Sequence, residues 1–274
     1  MSKSMVLSGP MSALRSRFGD REAIRRMAKA GFDAVDYTFN EMVSDDCVWN
    51  TPRWEEYGKE LLTLARDQGV FFNQAHAPFI FHTSYLPDWN REILPMQIRC
   101  MEACALLGIP HMVVPPVHHL PYHHRGAPGK SNADIIWDLN REHYHLLQPY
   151  AKQFGVQMCL ENMFGEDQRR GCLVPDMFSA PHEYAQFFDE LNDPDNFTCC
   201  IDTGHAGITG EDCGDTIRVM GSRVRALHLN DNDFRTDGHL IPFQGKIDWD
   251  DVMRALAEID YQGDFTFEAL HLYE

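Results

Sequence analysis

A chain of 274 residues with a 44% hydrophobic share holds enough apolar material for one large core, and at 24% charged residues it is not a disordered polyelectrolyte. Lys and Arg number 24 against 41 Asp and Glu, a formal net charge of −17, which argues against a surface built to grip nucleic-acid phosphates or anionic lipid. No run reaches membrane length and the apolar stretch within Met1–Pro10 is too short for a secretory signal, so a cytoplasmic protein without membrane or nucleic-acid partners is expected.

Eight short runs rich in β-branched or aromatic residues recur along the chain: Met5–Ser8, Ala34–Phe39, Val70–Ala75, His111–Pro115, Val156–Glu161, Phe197–Asp202, Ala226–Leu229 and Phe265–Ala269. Segments of helical period lie between them. Ile24, Met27 and Ala28 mark the first, and Tyr57, Leu61, Leu64 and Ala65 the second. Leu94, Ile98, Met101 and Ala105 give a third, and Ile136, Leu139, Leu146, Leu147, Tyr150 and Phe154 a long fourth. Tyr184, Phe187, Phe188 and Leu191 follow, then a weaker segment at Ile217–Met220, and Trp249, Val252, Met253, Leu256 and Ile259 close the series.

Gly31, Gly69, Gly108 and Gly155 each stand between a helical segment and the next strand, where glycine ends a helix without steric cost. Strand, helix and turn repeated in this way predict an α/β fold, a single (β/α)₈ TIM barrel over residues 1–274. A doubly wound open sheet is the alternative. It would want a glycine-rich phosphate fingerprint after the first strand, where only Ser8-Gly9-Pro10 stands. The sequence stops at Glu274, soon after the eighth strand, so the last helix is expected to be absent and the open flank to offer a contact between copies in a homo-oligomer.

The eight cysteines form no CxxC pair, and reduced thiols in the core are expected. Cys100 and Cys104, four apart on a helix, read either as two small apolar residues or as a pair of metal donors.

In a parallel barrel the active site lies at the C-terminal strand ends, so a polar residue closing an apolar strand is the one to collect. Strand three ends at His76, strand five at Glu161 and Asn162, strand six at Asp202, strand seven at His228, and strand eight at Glu268. Three carboxylates and an imidazole converging in one barrel mouth would repel unless a cation lay among Glu161, Asp202, His228 and Glu268. That oxygen-rich donor set suits a divalent metal ion, Mn²⁺ first, with Mg²⁺, Co²⁺, Fe²⁺ and Zn²⁺ as alternatives.

The pieces Leu160-Glu161-Asn162, Ile201-Asp202-Thr203-Gly204-His205, Leu227-His228-Leu229-Asn230-Asp231-Asn232-Asp233 and Asp237 to Trp249 resemble the xylose-isomerase-like TIM barrels. That family includes sugar and sugar-phosphate isomerases and epimerases and the endonuclease-IV-type apurinic endonucleases. The resemblance implies that Glu161, Asp202, His228 and Glu268 are metal ligands and that Glu161 and Glu268 are also the catalytic pair. One would remove a proton beside a carbonyl and the other return it, through a metal-stabilised ene-diolate. It further implies substrate contacts from His76, His205, Glu166 and Arg235.

The endonuclease branch sets His76, His205, Asp237 and His239 as further zinc ligands, so Asp237 and His239 are candidates for an additional metal. The branch's histidine at the end of strand four is Pro115 here, and the charge of −17 speaks against a duplex substrate. The expectation is a metal-dependent isomerase or epimerase of a small sugar or related polyhydroxy carbonyl compound. A multi-zinc phosphodiesterase, a metal-dependent lyase or dehydratase, or a silent sugar binder of the same barrel are the alternatives.

Three loops carry weaker expectations. His118-His119-Leu120-Pro121-Tyr122-His123-His124 reads as a second metal site or a solvated lid, while Trp49 to Pro52 and Phe79 to His82 offer aromatic faces to a sugar ring. Gly245 and Lys246 are candidates for a phosphate cradle.

Overall fold

The computed structural model describes residues 5–79, 89–117, 129 and 131–269. Strand Leu7–Pro10 (β1) is followed by helices Ser12–Phe18 (α1) and Asp20–Ala30 (α2), then by Ala34–Thr38 (β2), Trp54–Gln68 (α3), Phe71–His76 (β3) and Trp89–Leu107 (α4). His111–Val113 (β4), Asn132–Phe154 (α5) and Gln157–Glu161 (β5) continue the alternation. An antiparallel hairpin of Phe164–Asp167 (β6) and Cys172–Pro175 (β7) precedes Pro181–Leu191 (α6) and Phe197–Asp202 (β8). Thr203–Thr209 (α7), Cys213–Met220 (α8), Val224–His228 (β9), Trp249–Glu258 (α9) and Phe265–Thr266 (β10) complete the described elements.

Eight parallel strands run in the order β10-β1-β2-β3-β4-β5-β8-β9, and helices cover their outer face. The ring is nearly closed: across the seam between β9 and β10 the Leu229 N–H donates to the Thr266 carbonyl at 2.8 Å. This is the TIM barrel expected. Helices α3 and α5 stop at Gly69 and Gly155, whose φ of 77° and 65° is the left-handed conformation a helix stop requires. Among the described residues no helix follows β10, and none is long and apolar enough to cross a membrane.

Strand alternation places the site. Val113, Cys159, Cys200 and Ala226 form a buried layer inside the barrel. Two residues further along, on the same face of their strands, stand Glu161, Asp202 and His228. The polar residues therefore sit on a floor of small, closely packed side chains. Asp202 pairs in register with His228.

Several segments differ from the sequence expectation. Strand β10 is two residues long and β4 three, each ending before the predicted run does. Helix α7, Thr-Gly-His-Ala-Gly-Ile-Thr, has no apolar period and forms because Asp202 Oδ1 accepts the His205 N–H at 2.7 Å and caps it. Cys100 and Cys104 are fully buried, and Cys100 Sγ lies 3.4 Å from Met42 Sδ. Among the described residues neither joins a group of three or more candidate metal donors.

Trp49 also proves to be core. It is buried edge-on to Tyr37, Phe39 and Tyr57, its Nε1 donates to Tyr37 Oη at 2.9 Å, and it presents no face to a ligand. The predicted phosphate cradle is occupied from within. The N–H groups of Asn232 and Ile247 and the indole of Trp249 donate to the Asp231 carboxylate at 2.9 to 3.1 Å, and Lys246 N–H donates to Asn232 O at 2.9 Å. A Cβ on Gly245 would stand 2.2 Å from Asp231 Oδ1, so this glycine serves the loop's close packing. The predicted loops 80–82 and 118–124 lie outside the described residues.

Candidate metal centre

Glu161, Asp202, His228 and Glu268 converge, each offering a ligand atom within 4.8 Å of the others. The tightest contact is His228 Nδ1 to Glu161 Oε1 at 2.6 Å, with Glu268 Oε2 3.4 Å from the same nitrogen. Glu161, Asp202 and His228 are buried, and Glu268 keeps 18% of its side chain exposed, so the cluster opens to solvent on the Glu268 side.

Two asparagines, each just past the end of one of these strands, hold Asp202. Asn162 Nδ2 donates to Asp202 O at 2.9 Å, and the Asp202 N–H donates to Asn162 Oδ1 at 2.8 Å. Asn230 Nδ2 donates to Asp202 Oδ2 at 2.9 Å. Neither asparagine was expected as a site residue, although each directly follows or closely follows a ligand strand.

Around this centre stand the other predicted imidazoles. His76 Nδ1 donates to Ala77 O at 2.6 Å, which directs Nε2 toward Glu161 Oε2 at 3.5 Å. Phe79 lies against the His76 ring at 4.5 Å between centroids. His205 Nδ1 donates to Asn162 O at 2.8 Å, leaving Nε2 4.0 Å from Asp202 Oδ2 and 3.9 Å from Asp237 Oδ1. His239 bonds Glu268 O through Nδ1 at 2.8 Å and Asp237 Oδ2 through Nε2 at 3.1 Å. The structure thus gathers His76, His205, Asp237 and His239 about the four central residues. His239 and Phe234 occupy the left-handed region, φ 42° and 64°, a cost borne by a loop that carries site residues.

Glu166 and Arg235 are not brought in. Both are exposed, Glu166 on the β6–β7 hairpin and Arg235 in the loop after β9, and among the described residues neither forms an ion pair. Asp36, missed in the sequence, is buried with Oδ2 3.7 Å from His228 Nε2. It is an acid in the middle of an otherwise uncharged buried strand, and so was not among the strand-end residues collected from the sequence.

The electrostatics call for a cation. Burial pushes His228 toward neutrality, but Cys200, Glu268 and Glu161 raise its pKa well above the ordinary value. His76 and His205 are also raised against burial by their carboxylate neighbours, and His239, facing Asp237 and Glu268, goes up to about 10. Burial, reinforced by Glu268 and Glu161, pushes Asp202 up to about 6. Glu161 is held well below the carboxylate range, where His228 and His76 outweigh burial. Crowded carboxylates thus raise the pKa of each imidazole beside them, and the buried Glu161 Oε2 lacks a hydrogen-bond partner. Donor chemistry, spacing and this surplus of negative charge fit a divalent metal ion.

The profile of the xylose isomerase-like TIM barrel family matches residues 24–271. Among curated proteins, fructoselysine 3-epimerase of Escherichia coli O157:H7 is 25% identical over 140 residues, covering 51% of this chain and 48% of its own. Probable endonuclease 4 of Methanoculleus marisnigri is 28% identical over 173 residues, covering 56% and 55%. The chain thus spans about half the length of these relatives. Among solved structures, D-psicose 3-epimerase with D-tagatose from Clostridium cellulolyticum H10 superposes with a TM-score of 0.74 over 96% of this chain and 84% of its own, at 19% identity.

Proposed function

Since the chain belongs to the xylose isomerase-like TIM barrel family, we propose that it is a divalent-metal-dependent epimerase or isomerase of a small sugar or related polyhydroxy carbonyl compound. The observation that carries this reading is the approach of both Glu161 and Glu268 to His228 Nδ1, at 2.6 and 3.4 Å, beside Asp202 in the barrel mouth. Epimerases among the sequence and structural relatives support it.

Glu161, Asp202, His228 and Glu268 would hold the ion, Mn²⁺ by preference. When bound it supplies Lewis-acid polarisation of a carbonyl and anchorage for the adjacent hydroxyl oxygen. Glu161 and Glu268 carry the proton: one carboxylate removes it from the carbon beside the carbonyl, and the other delivers one to the carbon that inverts or is reduced. His76 and His205, with tautomers set by Ala77 O and Asn162 O, turn Nε2 toward the mouth and receive substrate hydroxyls. Glu166 and Arg235 contact substrate only if their loops fold over it.

Incubation with Mn²⁺ and a panel of ketoses in D₂O tests the class. Exchange of the hydrogen beside the carbonyl is expected for at least one member, and Glu161→Gln or Glu268→Gln should abolish it in a folded protein. Cleavage of abasic DNA with no exchange in any ketose overturns the reading.

A second reading, multi-cation phosphodiester hydrolysis, is favoured by one feature: Asp237 lies between His205 and His239, at 3.9 and 3.1 Å. Asp237 and His239 would then serve an additional metal. The charge of −17 weighs against a duplex substrate, and metal analysis separates the two, one ion per chain supporting the epimerase and two or three the hydrolase.

A further inference from the structure

Asp36 is a buried carboxylate that the proposed proton transfer does not use. It is 2% exposed, its Oδ2 lies 3.7 Å from His228 Nε2, and its Oδ1 has no hydrogen-bond partner. His228 Nε2 is equally sealed and equally without one. A buried ring nitrogen without a partner is costly, and the Asp36 oxygen that faces it, Oδ2, accepts from Gln74 and has room for a second donor.

The strand ladder is irregular beside this acid. Between β2 and β3 the register shifts at Val35/Asp36, so that Val35 pairs with Phe72 and Asp36 with Gln74, with Asn73 left over. Such an irregularity re-aims the side chains beside it. Gln74 Nε2 then approaches Asp36 Oδ2 at 3.4 Å.

The chemistry of imidazole supplies the rest. Nδ1 of His228 is the nitrogen that faces Glu161 and Glu268, so Nδ1 is the nitrogen that meets an ion among the four ligands. A ligating nitrogen offers its lone pair, and a neutral ring then carries its proton on the other nitrogen. Here that is Nε2, beyond the reach of water, with Asp36 as its carboxylate neighbour. We infer that Asp36 is a positioning residue that accepts the Nε2–H of His228 and so fixes the tautomer and ring plane in which Nδ1 presents its lone pair to the metal. The inference rests on the metal reading proposed above.

Two measurements test it. Mn²⁺ binding to the full chain, followed by the electron paramagnetic resonance of free Mn²⁺, is expected to weaken roughly 10- to 100-fold in Asp36→Asn, the range typical of losing a carboxylate behind a ligating histidine. Asp36→Glu should recover part of that loss. In the zinc-loaded wild-type protein labelled with ¹⁵N-histidine, His228 should carry its proton on Nε2 and its metal shift on Nδ1. Wild-type affinity in Asp36→Asn overturns the proposal, as does a His228 that is metal-bound through Nε2, a result that needs no variant to fold. If the wild-type chain binds neither Mn²⁺ nor Zn²⁺, the metal reading itself falls.

Discussion

Asn162 and Asp202 exchange two hydrogen bonds across the ends of neighbouring strands, amide to carbonyl at 2.9 Å and N–H to amide oxygen at 2.8 Å. The backbone ladder between β5 and β8 ends at the pair Glu161 and Cys200, and the Asn162 side chain extends it by one rung. The carbonyl of Asn162 accepts from His205 Nδ1 at 2.8 Å, so one residue holds both Asp202 and His205. Asn162→Ala strands the Asp202 N–H and C=O in a buried place and should cost about 1–3 kcal/mol of stability. A larger loss in kcat/KM than the stability loss alone explains should accompany it, because Asp202 loses its side-chain anchor. Urea unfolding read beside steady-state kinetics checks both, and a variant with wild-type stability and turnover would deny Asn162 this role.

Gly204 sits where no side chain fits. A Cβ there would stand 2.0 Å from Asn230 Oδ1, and Asn230 is the residue whose Nδ2 holds Asp202 Oδ2 at 2.9 Å. Gly204→Ala must displace the Asn230 amide, and overpacking of this kind costs about 1–3 kcal/mol. Mn²⁺ affinity should drop in the same variant, since Asp202 loses its side-chain donor. Calorimetry with and without Mn²⁺ separates the two effects; a fall in melting temperature with unchanged affinity would mean that Asn230 does not orient Asp202.

The barrel was legible because its strands and helices differ in period and because Gly69 and Gly155 mark helix stops. The four clustered residues were legible for a simpler reason: each is a polar residue closing an apolar strand. Asp36 escapes that rule because it lies in mid-strand, and only its approach to His228 Nε2 at 3.7 Å shows that it belongs with them. Asn162 and Asn230 act through amide geometry, which residue identity alone does not encode. Trp49 misled because an aromatic in a loop after a strand reads the same whether it faces a ligand or Tyr37. The hairpin that carries Glu166 was missed because its strands are four residues each and only partly buried.

Removal of divalent metal should lower stability in a concentration-dependent way. A ligand bound only by the folded state stabilises it by RT ln(1 + [L]/Kd), about 2.7 kcal/mol at a hundred times Kd. Chelator treatment should therefore lower the melting temperature, and Mn²⁺ titration should restore it. In Glu161→Gln the dependence should be strongly reduced, because a buried charged ligand has been replaced by a neutral amide. A melting temperature indifferent to both chelator and Mn²⁺ would count against an ion within this cluster.

Acid sensitivity should arise in part far from the site, at His143. This residue is buried in α5, its Nε2 3.4 Å from Gln97 Nε2 of α4, and burial pushes its pKa down from 6.5 to about 4. The folded state thus binds the proton less readily than the unfolded chain. Above pH 6.5 both states hold His143 neutral and there is no penalty. As pH falls below that value the unfolded chain takes up a proton that the fold refuses, so stability declines until pH 4 and then levels. A shift of this size corresponds to about 3 kcal/mol, most of it lost between pH 6.5 and 4.5. His143→Gln keeps a polar group beside Gln97 and removes the titration. Urea unfolding at pH 7 and pH 4.5 should show wild type losing about 2–3 kcal/mol more than the variant over that interval. Carboxylates titrating elsewhere contribute equally to both proteins and cancel in the comparison, so parallel pH profiles would mean that His143 takes up its proton within the fold.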